Sequence, residues 1–280
     1  MKNPLALFIS VVLLFSNCRK LAQDEFPDFE QKTTINSIFA SDSILQLHLS
    51  TTNKMSHDSL SVVENAEVHL FKNDVFIQKL NYTTGGIYLS TQKIEPQNTY
   101  RCEVDLPNKG LTTSSCFVPQ STPLINVLLN PNAWIDNDGI LRPSIMFTIK
   151  NDTTIDNYYE ARISVYITSE IGSDAEYYHD KSFALELFTN NNATNSTITK
   201  TIKIQPNSWG TMRFAYKLEL RTVSYTYYKY VQSLRLYEKG RYPEFDTGII
   251  VPSNLFSNIQ NGYGIFAAYA TTYSDTLFAD

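Results

Sequence analysis

The sequence is poor in residues that ligate metals or carry redox chemistry: its 280 residues include only 3 Cys and 4 His. It contains no C-x-x-C and no H-E-x-x-H, so the common zinc and dithiol sites are excluded. A Gly-rich phosphate loop and a G-x-S-x-G elbow are also missing, which removes the two most recognisable nucleotide and hydrolase signatures. Positive charge is scarce, with 23 Lys and Arg against 28 Asp and Glu and a net charge of −5. The pI of about 5.4 argues against a nucleic-acid partner, which requires a basic face. Charged residues make up 18% and hydrophobic residues 42%, too apolar a balance for a disordered chain. What is abundant is aromatic: 18 Tyr and 16 Phe among 13% aromatics, together with Thr, Ile and Val. That is a β composition.

The first residues read as an address. Lys2 precedes an apolar run, Leu5 to Phe15, of about eleven residues, too short to cross a bilayer core that needs about twenty. It fits the h-region of a secretory signal peptide occupying residues 1–17. Ser16-Asn17-Cys18 follows, and a Cys at this place is where a bacterial lipoprotein is acylated on sulfur and cleaved. Cys18 is therefore the expected lipidation residue, with residues 18–31 as a polar, acidic tether. Several acyl chains, each buried CH₂ contributing about 0.8 kcal/mol, anchor a protein without a transmembrane helix. The expected location is the outer membrane, facing the cell surface. The periplasmic face is the alternative, because Arg19-Lys20 precede Asp24-Glu25.

The remaining chain divides into an expected N-terminal β-sandwich, residues 32–120, and a second β-rich domain, residues 121–280, with the boundary at Ser121-Thr122-Pro123. About seven short strands in roughly ninety residues suggest a small Ig-like sandwich for the first. In the second, Ile145 to Lys150, Tyr158 to Thr168, Lys181 to Phe188, Ile198 to Ile204, Met212 to Thr222, Gly248 to Val251 and Ile265 to Ala270 read as strands. Tyr227, Tyr230, Val231, Leu234 and Tyr237 recur at helical spacing, which predicts one amphipathic helix stopped at Gly240. Thr189 to Asn195 reads as a polar surface loop. With Cys18 lipidated, Cys102 and Cys116 remain, flanking Pro107-Asn108-Lys109-Gly110. A three-residue loop ending at Gly110 would place the two Cys opposite each other on one face. A cross-strand disulfide is the expectation in an oxidising compartment, and two reduced core thiols are the alternative.

Candidate chemistry is thin. His48 and His69 fall on strand faces, His57 and His179 in loops. Asp136-Asn137-Asp138-Gly139 resembles the start of a calcium loop, but the twelfth position is Phe147 instead of Glu, so an Asx-rich turn is expected. Asp174, Glu176, His179 and Asp180 read as a solvated loop. No metal, no cofactor and no catalytic residue is assigned, and the protein is not read as an enzyme. Tyr158-Tyr159, Tyr177-Tyr178 and Tyr227-Tyr228 each place one ring on either side of an element, so that one ring of each pair is less buried. Such rings can stack on sugars or anchor partners. Asp42-Ser43-Ile44, Asp58-Ser59-Leu60, Asp152-Thr153-Thr154 and Asp275-Thr276-Leu277 fit a short O-glycosylation pattern of exported proteins, of which one or two are expected to be used.

Phe256-Ser257-Asn258-Ile259-Gln260-Asn261-Gly262-Tyr263-Gly264-Ile265-Phe266 is similar to the closing motif of a Bacteroidota outer-membrane lipoprotein family, domain of unknown function 4249. Val63 to Leu70, Gly86-Ile87-Tyr88, Thr99-Tyr100-Arg101 and Tyr227 to Leu234 add to the resemblance, which spans nearly the whole mature chain. Where the family shows paired Gly after Ile-Phe, this chain has Ala267-Ala268. The first half also resembles transthyretin-like modules found beside TonB-dependent transporters, near which members of the family are often encoded. The resemblance implies an accessory binding lipoprotein of such a transporter. A structural or adhesive surface protein, and a hydrolase with a dispersed site, are the alternatives. The resemblance supplies no site residues, and no ligand-binding residue is assigned.

Overall fold

The computed structural model describes residues 30–53, 61–107, 109–168, 178–191, 193–205, 213–241 and 253–279. Nine strands come first: β1 (Thr33–Ala40), β2 (Ile44–Thr51), β3 (Ser61–Val62), β4 (Glu67–Lys72), β5 (Val75–Lys79), β6 (Asn81–Tyr82), β7 (Ile87–Lys93), β8 (Thr99–Leu106) and β9 (Gly110–Phe117). Then follow β10 (Leu124–Ile135), β11 (Leu141–Lys150), β12 (Tyr158–Thr168), β13 (Tyr178–Thr189), β14 (Thr197–Lys203) and β15 (Arg213–Val223). Helix α1 (Tyr225–Arg241), β16 (Gly262–Tyr273) and β17 (Leu277–Ala279) complete the described residues. The chain is all-β with one helix among them.

Alternation drives the strands. In β2, Leu45, Leu47 and Leu49 are fully buried, while Ile44 and Gln46 face out. Each buried Leu contributes about 1.5–3 kcal/mol relative to exposure, and a one-residue slip would expose the set. β10 was not expected from the sequence, because Asn126, Asn130, Pro131 and Asn132 dilute its apolar pattern. Pro131 is tolerated because β10 is an edge strand and Pro131 lies within a register irregularity between Asn130 and Trp134.

One ten-stranded sheet runs in the order β13-β12-β15-β16-β1-β2-β7-β6, with β17 beside β15 and β3 beside β2. A four-stranded sheet, β5-β4-β8-β9, and a three-stranded sheet, β10-β11-β14, complete the β structure. Ile35, Leu47 and Tyr88 of the long sheet pack with Val68, Val104 and Cys116 of the four-stranded sheet in a first core. Tyr159, Ile163 and Leu218 pack with Ile145, Phe147 and Ile198 in a second. On the opposite face of the long sheet, α1 buries Tyr227 against Val223, Ile265 and Ala267.

The expected division at residues 120 and 121 does not separate two folding units. β1 pairs in parallel with β16, Thr33 opposite Gly262 through Ala40 opposite Tyr269, so the last long strand is central to a sheet that begins with the first. Lys32 to Asp280 forms one compact unit. Parallel neighbours need a long crossover, and here the crossover is nearly the whole chain. Gly264 has a φ of +110°. A Cβ there would overlap the carbonyl of Ile35, so the close approach of β1 requires glycine.

The disulfide is also corrected. The hairpin pairs Leu106 with Gly110, which puts Tyr100 opposite Cys116 and Cys102 opposite Ser114. Both Cys are free thiols, buried on the same inward face but offset by two residues. Diagonal neighbours stand about 7–8 Å apart, beyond comfortable disulfide reach. Burial raises the Cys102 thiol to about 12 and lifts Cys116 well above its ordinary value, so both stay protonated.

The expected helix forms at Tyr225–Arg241, with Gly240 inside its last turn. Ser224 is its N-cap: its Oγ accepts from the Tyr227 N–H at 3.2 Å. The same Oγ accepts from the Ala268 N–H at 3.2 Å, tying the cap to β16. The strand expected at Gly248 to Val251 lies outside the described residues.

Candidate functional site

Two constellations emerge. The first is a groove of about 560 Å³ where the two cores adjoin, lined by Gln97, Phe117, residues 119–123 and 150–153, Ile155, Asn157 and Tyr159. Its walls are fixed by hydrogen bonds. The Thr122 N–H donates to the Thr222 hydroxyl at 3.1 Å, the Thr222 hydroxyl donates to that of Thr122 at 2.9 Å, and the Thr272 hydroxyl donates to the Thr122 carbonyl at 2.9 Å. Opposite, Asn190 clamps the loop: its Nδ2 donates to the carbonyls of Asp152 (2.9 Å) and Ile155 (2.8 Å), and its Oδ1 accepts from the Asn157 N–H at 2.8 Å. Asn151 donates to the carbonyl of Asn195 at 2.8 Å. Asn190 and Asn151 are buried, as that many engaged polar groups permit.

Several lining groups are not spent on the framework. The side chains of Gln97, Gln120, Lys150 and Thr153 make no hydrogen bond among the described residues. Phe117 is 53% and Ile155 57% exposed. Gln97 has a φ of +60°, the left-handed region that a non-glycine residue rarely adopts. Strain of this kind concentrates at binding sites, where the surrounding structure holds it in place. Thr154 donates from its hydroxyl and N–H to the Asp152 carboxylate, which lies below the usual carboxylate range for that reason, with Lys150 adding to the effect.

The second constellation lies under α1. Glu160 is fully buried on β12; Tyr227 donates to its Oε2 at 2.7 Å and Arg162 donates to the same oxygen at 2.7 Å. Arg221 on β15 approaches that oxygen at 3.6 Å, donates to the Tyr227 hydroxyl at 3.2 Å and to Glu219 at 2.6 Å. Two carboxylates and two guanidiniums cancel. Glu160 Oε1 has no partner among the described residues. Burial raises Tyr227 to about 12, the Glu160 carboxylate adds to the shift, and Arg221 opposes it. Burial works against the charge on Arg221, yet Tyr227 and Glu219 outweigh it and its pKa is raised. Arg221 also lies 4.3 Å from the centroid of the Tyr269 ring. The arrangement fastens helix to sheet through compensated charge.

The sequence expectations fall out unevenly. Asp136 accepts from the N–H groups of Asp138 (3.0 Å) and Ile140 (2.9 Å) and from Arg142 Nε (2.6 Å), an Asx turn whose carboxylate is engaged. No cluster suited to a metal occurs among the described residues. His48 and His69 lie on strand faces, and His69 edges the Phe76 ring. Cys18, His57, Asp174, Glu176 and Tyr177 lie outside the described residues, as do the side chains of Tyr178, His179 and Asp180. Of the Tyr pairs, Tyr159 and Tyr227 are buried, while Tyr158 and Tyr228 are half-buried. Ser43, Thr153 and Thr276 are exposed, and Asp58-Ser59 lies outside the described residues. Sequence reasoning missed Asn190, placed in a surface loop, and Glu160 with Arg221. Glu160 and Arg221 had no local signal beyond a charged residue within an apolar strand, and Asn190 lies in a polar tract just past the end of β13.

A family model, domain of unknown function (DUF4249), matches residues 21–275. The chain belongs to this family. No curated protein matches it. The matched span takes in both cores, the groove and the α1 network, so the three-sheet arrangement falls within one DUF4249 unit. No helix of the described residues is long and apolar enough to cross a membrane.

Proposed function

We propose that this DUF4249 protein is a non-enzymatic binding module, lipid-anchored through Cys18 in the outer membrane and accessory to a TonB-dependent transporter. The observation that carries the reading is the junction groove, whose walls are held by buried Asn and Thr side chains while the side chains of Gln97, Gln120 and Lys150 make no hydrogen bond among the described residues. Preformed pockets with a few convergent polar groups are how proteins hold small ligands. The apolar run ending at Ser16-Asn17-Cys18 supports the anchor. The cell surface is the favoured face, because a transporter's helper acts where ligand arrives.

Affinity purification of the full-length lipoprotein from its native membrane in mild detergent tests the reading. Recovery of a TonB-dependent transporter in fixed proportion, lost with Cys18→Ser, is the expected result. Recovery of the lipoprotein alone, or enrichment on a surface matrix instead, would reject the transporter role. Protease added to intact cells reads the face: digestion supports display, and protection until the outer membrane is broken places the domain in the periplasm.

A further inference from the structure

We propose that the junction groove is a binding site for a neutral saccharide, with the Phe117 ring beneath one face of a sugar. The proposal rests on the binding-module reading and names its ligand class. The charged residues of the lining are Lys150 and Asp152, one of each sign, so the groove has no surplus charge to attract an anion or a cation. A phosphate or carboxylate ligand would call for cationic excess. What the groove offers instead is carboxamide and hydroxyl: Gln97, Gln120, Ser121 and Thr153. Each amide presents donors and acceptors together, the match for a ligand whose hydroxyls are both at once.

The apolar component fits the same class. Phe117 is half exposed and stands with Ile155 among those polar groups. A single ring of this kind covers the C–H face of a sugar and leaves its rim to the amides. A peptide anchor would need a deep apolar pocket of the sort that hot-spot side chains fill. Rigidity favours binding as well, since the Asn190 clamp and the Thr122 bonds leave little ordering entropy to lose. Gln97 holds its strained backbone where its side chain can serve the ligand.

The test uses the full-length lipoprotein in a zwitterionic detergent, because maltoside and glucoside detergents are themselves neutral sugars. It is applied to an array of neutral and charged glycans and short peptides, and retained compounds are followed by calorimetry. Retention of neutral oligosaccharides is expected, weakened about tenfold by Phe117→Ala, in line with the value of one aromatic contact. Gln97→Gly removes an amide and relaxes the left-handed backbone. It is expected to weaken binding while leaving the thermal midpoint unchanged or higher, which separates loss of site from loss of fold. Retention of no neutral glycan, preference for anionic glycans or peptides, or retention indifferent to both variants overturns the proposal. No transporter is present in the assay, so its outcome is independent of the co-purification result.

Discussion

The two β cores lie side by side on one face of the same sheet, yet the sheet behind them is covered differently. Behind the first core, Ile38, Ile44 and Gln46 face solvent. Behind the second core and β16, α1 caps the strands, and Glu160, which alternation would leave at the surface, is sealed in. Where a sheet is covered once, its outward polar residues need nothing. Where it is covered twice, they must be paired, and the Glu160, Arg221, Arg162 and Tyr227 network is the consequence. The first core is sealed by aliphatics, tyrosines and two thiols; its buried Tyr88 accepts from the Ala66 N–H at 3.1 Å and donates to the Val63 carbonyl at 3.1 Å.

The strongest way to break this comparison is to remove what the halves share. Deleting residues 262–280 takes away β16 and with it the pairing to β1 and β15. Both cores are expected to lose their protected amides together in hydrogen exchange, leaving no folded half. Gly264→Val, which forces a Cβ against Ile35, is expected to destabilise by about 3 kcal/mol or more in urea unfolding. Survival of the first core in either case would restore two independent domains.

Next comes a change confined to the doubly covered region. Glu160→Ala takes the buried carboxylate away from Tyr227 and Arg162, each at 2.7 Å, and from Arg221 at 3.6 Å, and is expected to cost about 3–5 kcal/mol. Amide protection should fall in α1 and β12 well before β4 or β8. Equal loss across both cores would show that the network is not specific to the second.

A smaller effect carries a pH signature. Tyr227 is held neutral, its pKa raised from an ordinary 10 to about 12. A raised phenol contributes stability that is whole below pH 10 and lost as pH rises toward 12, since the unfolded chain releases the proton first. Tyr216, also raised to about 12 by burial, titrates in the same window. The measurement is therefore the difference in slope: Tyr227→Phe should flatten the fall in stability above pH 10, and cost about 1–2 kcal/mol at neutral pH. An unchanged slope would mean that the hydroxyl is not buried against Glu160.

The smallest expected effect lies in the first core. With Cys102 and Cys116 as free thiols, adding reductant should not move the unfolding midpoint, and both should titrate with a thiol reagent only after unfolding. A midpoint that falls in reductant would show a bond after all.

Much of the β structure was legible. Tyr158 to Thr168 is a strand end to end, and the spacing of Tyr227, Tyr230, Val231 and Leu234 did mark a helix. The left-handed backbone at Asn261, φ +56°, and the tight approach at Gly264 follow from the motif that contains them. The hairpin at Pro107 was read correctly as to face and wrongly as to register. A shift of two residues keeps every side chain on its side of the sheet, so alternation cannot detect it. The groove was not legible at all, because its walls come from Gln97, Phe117, Lys150 and Asn190-clamped Asn157, joined only by folding.

By itself, then, the sequence determined what each segment could be: period-two strands with a buried face, turns where glycine and asparagine admit positive φ, and one helix through Tyr227 to Tyr237. It also carried the family motif near the C-terminus. Only the tertiary structure decided that β1 and β16 are partners, that the two expected domains share one long sheet, and that Glu160 is buried. Local pattern fixes which side of a strand is apolar, since burial of that side is favourable wherever the strand goes. Which strand lies next to it depends on contacts distant in sequence, and those are settled by packing alone.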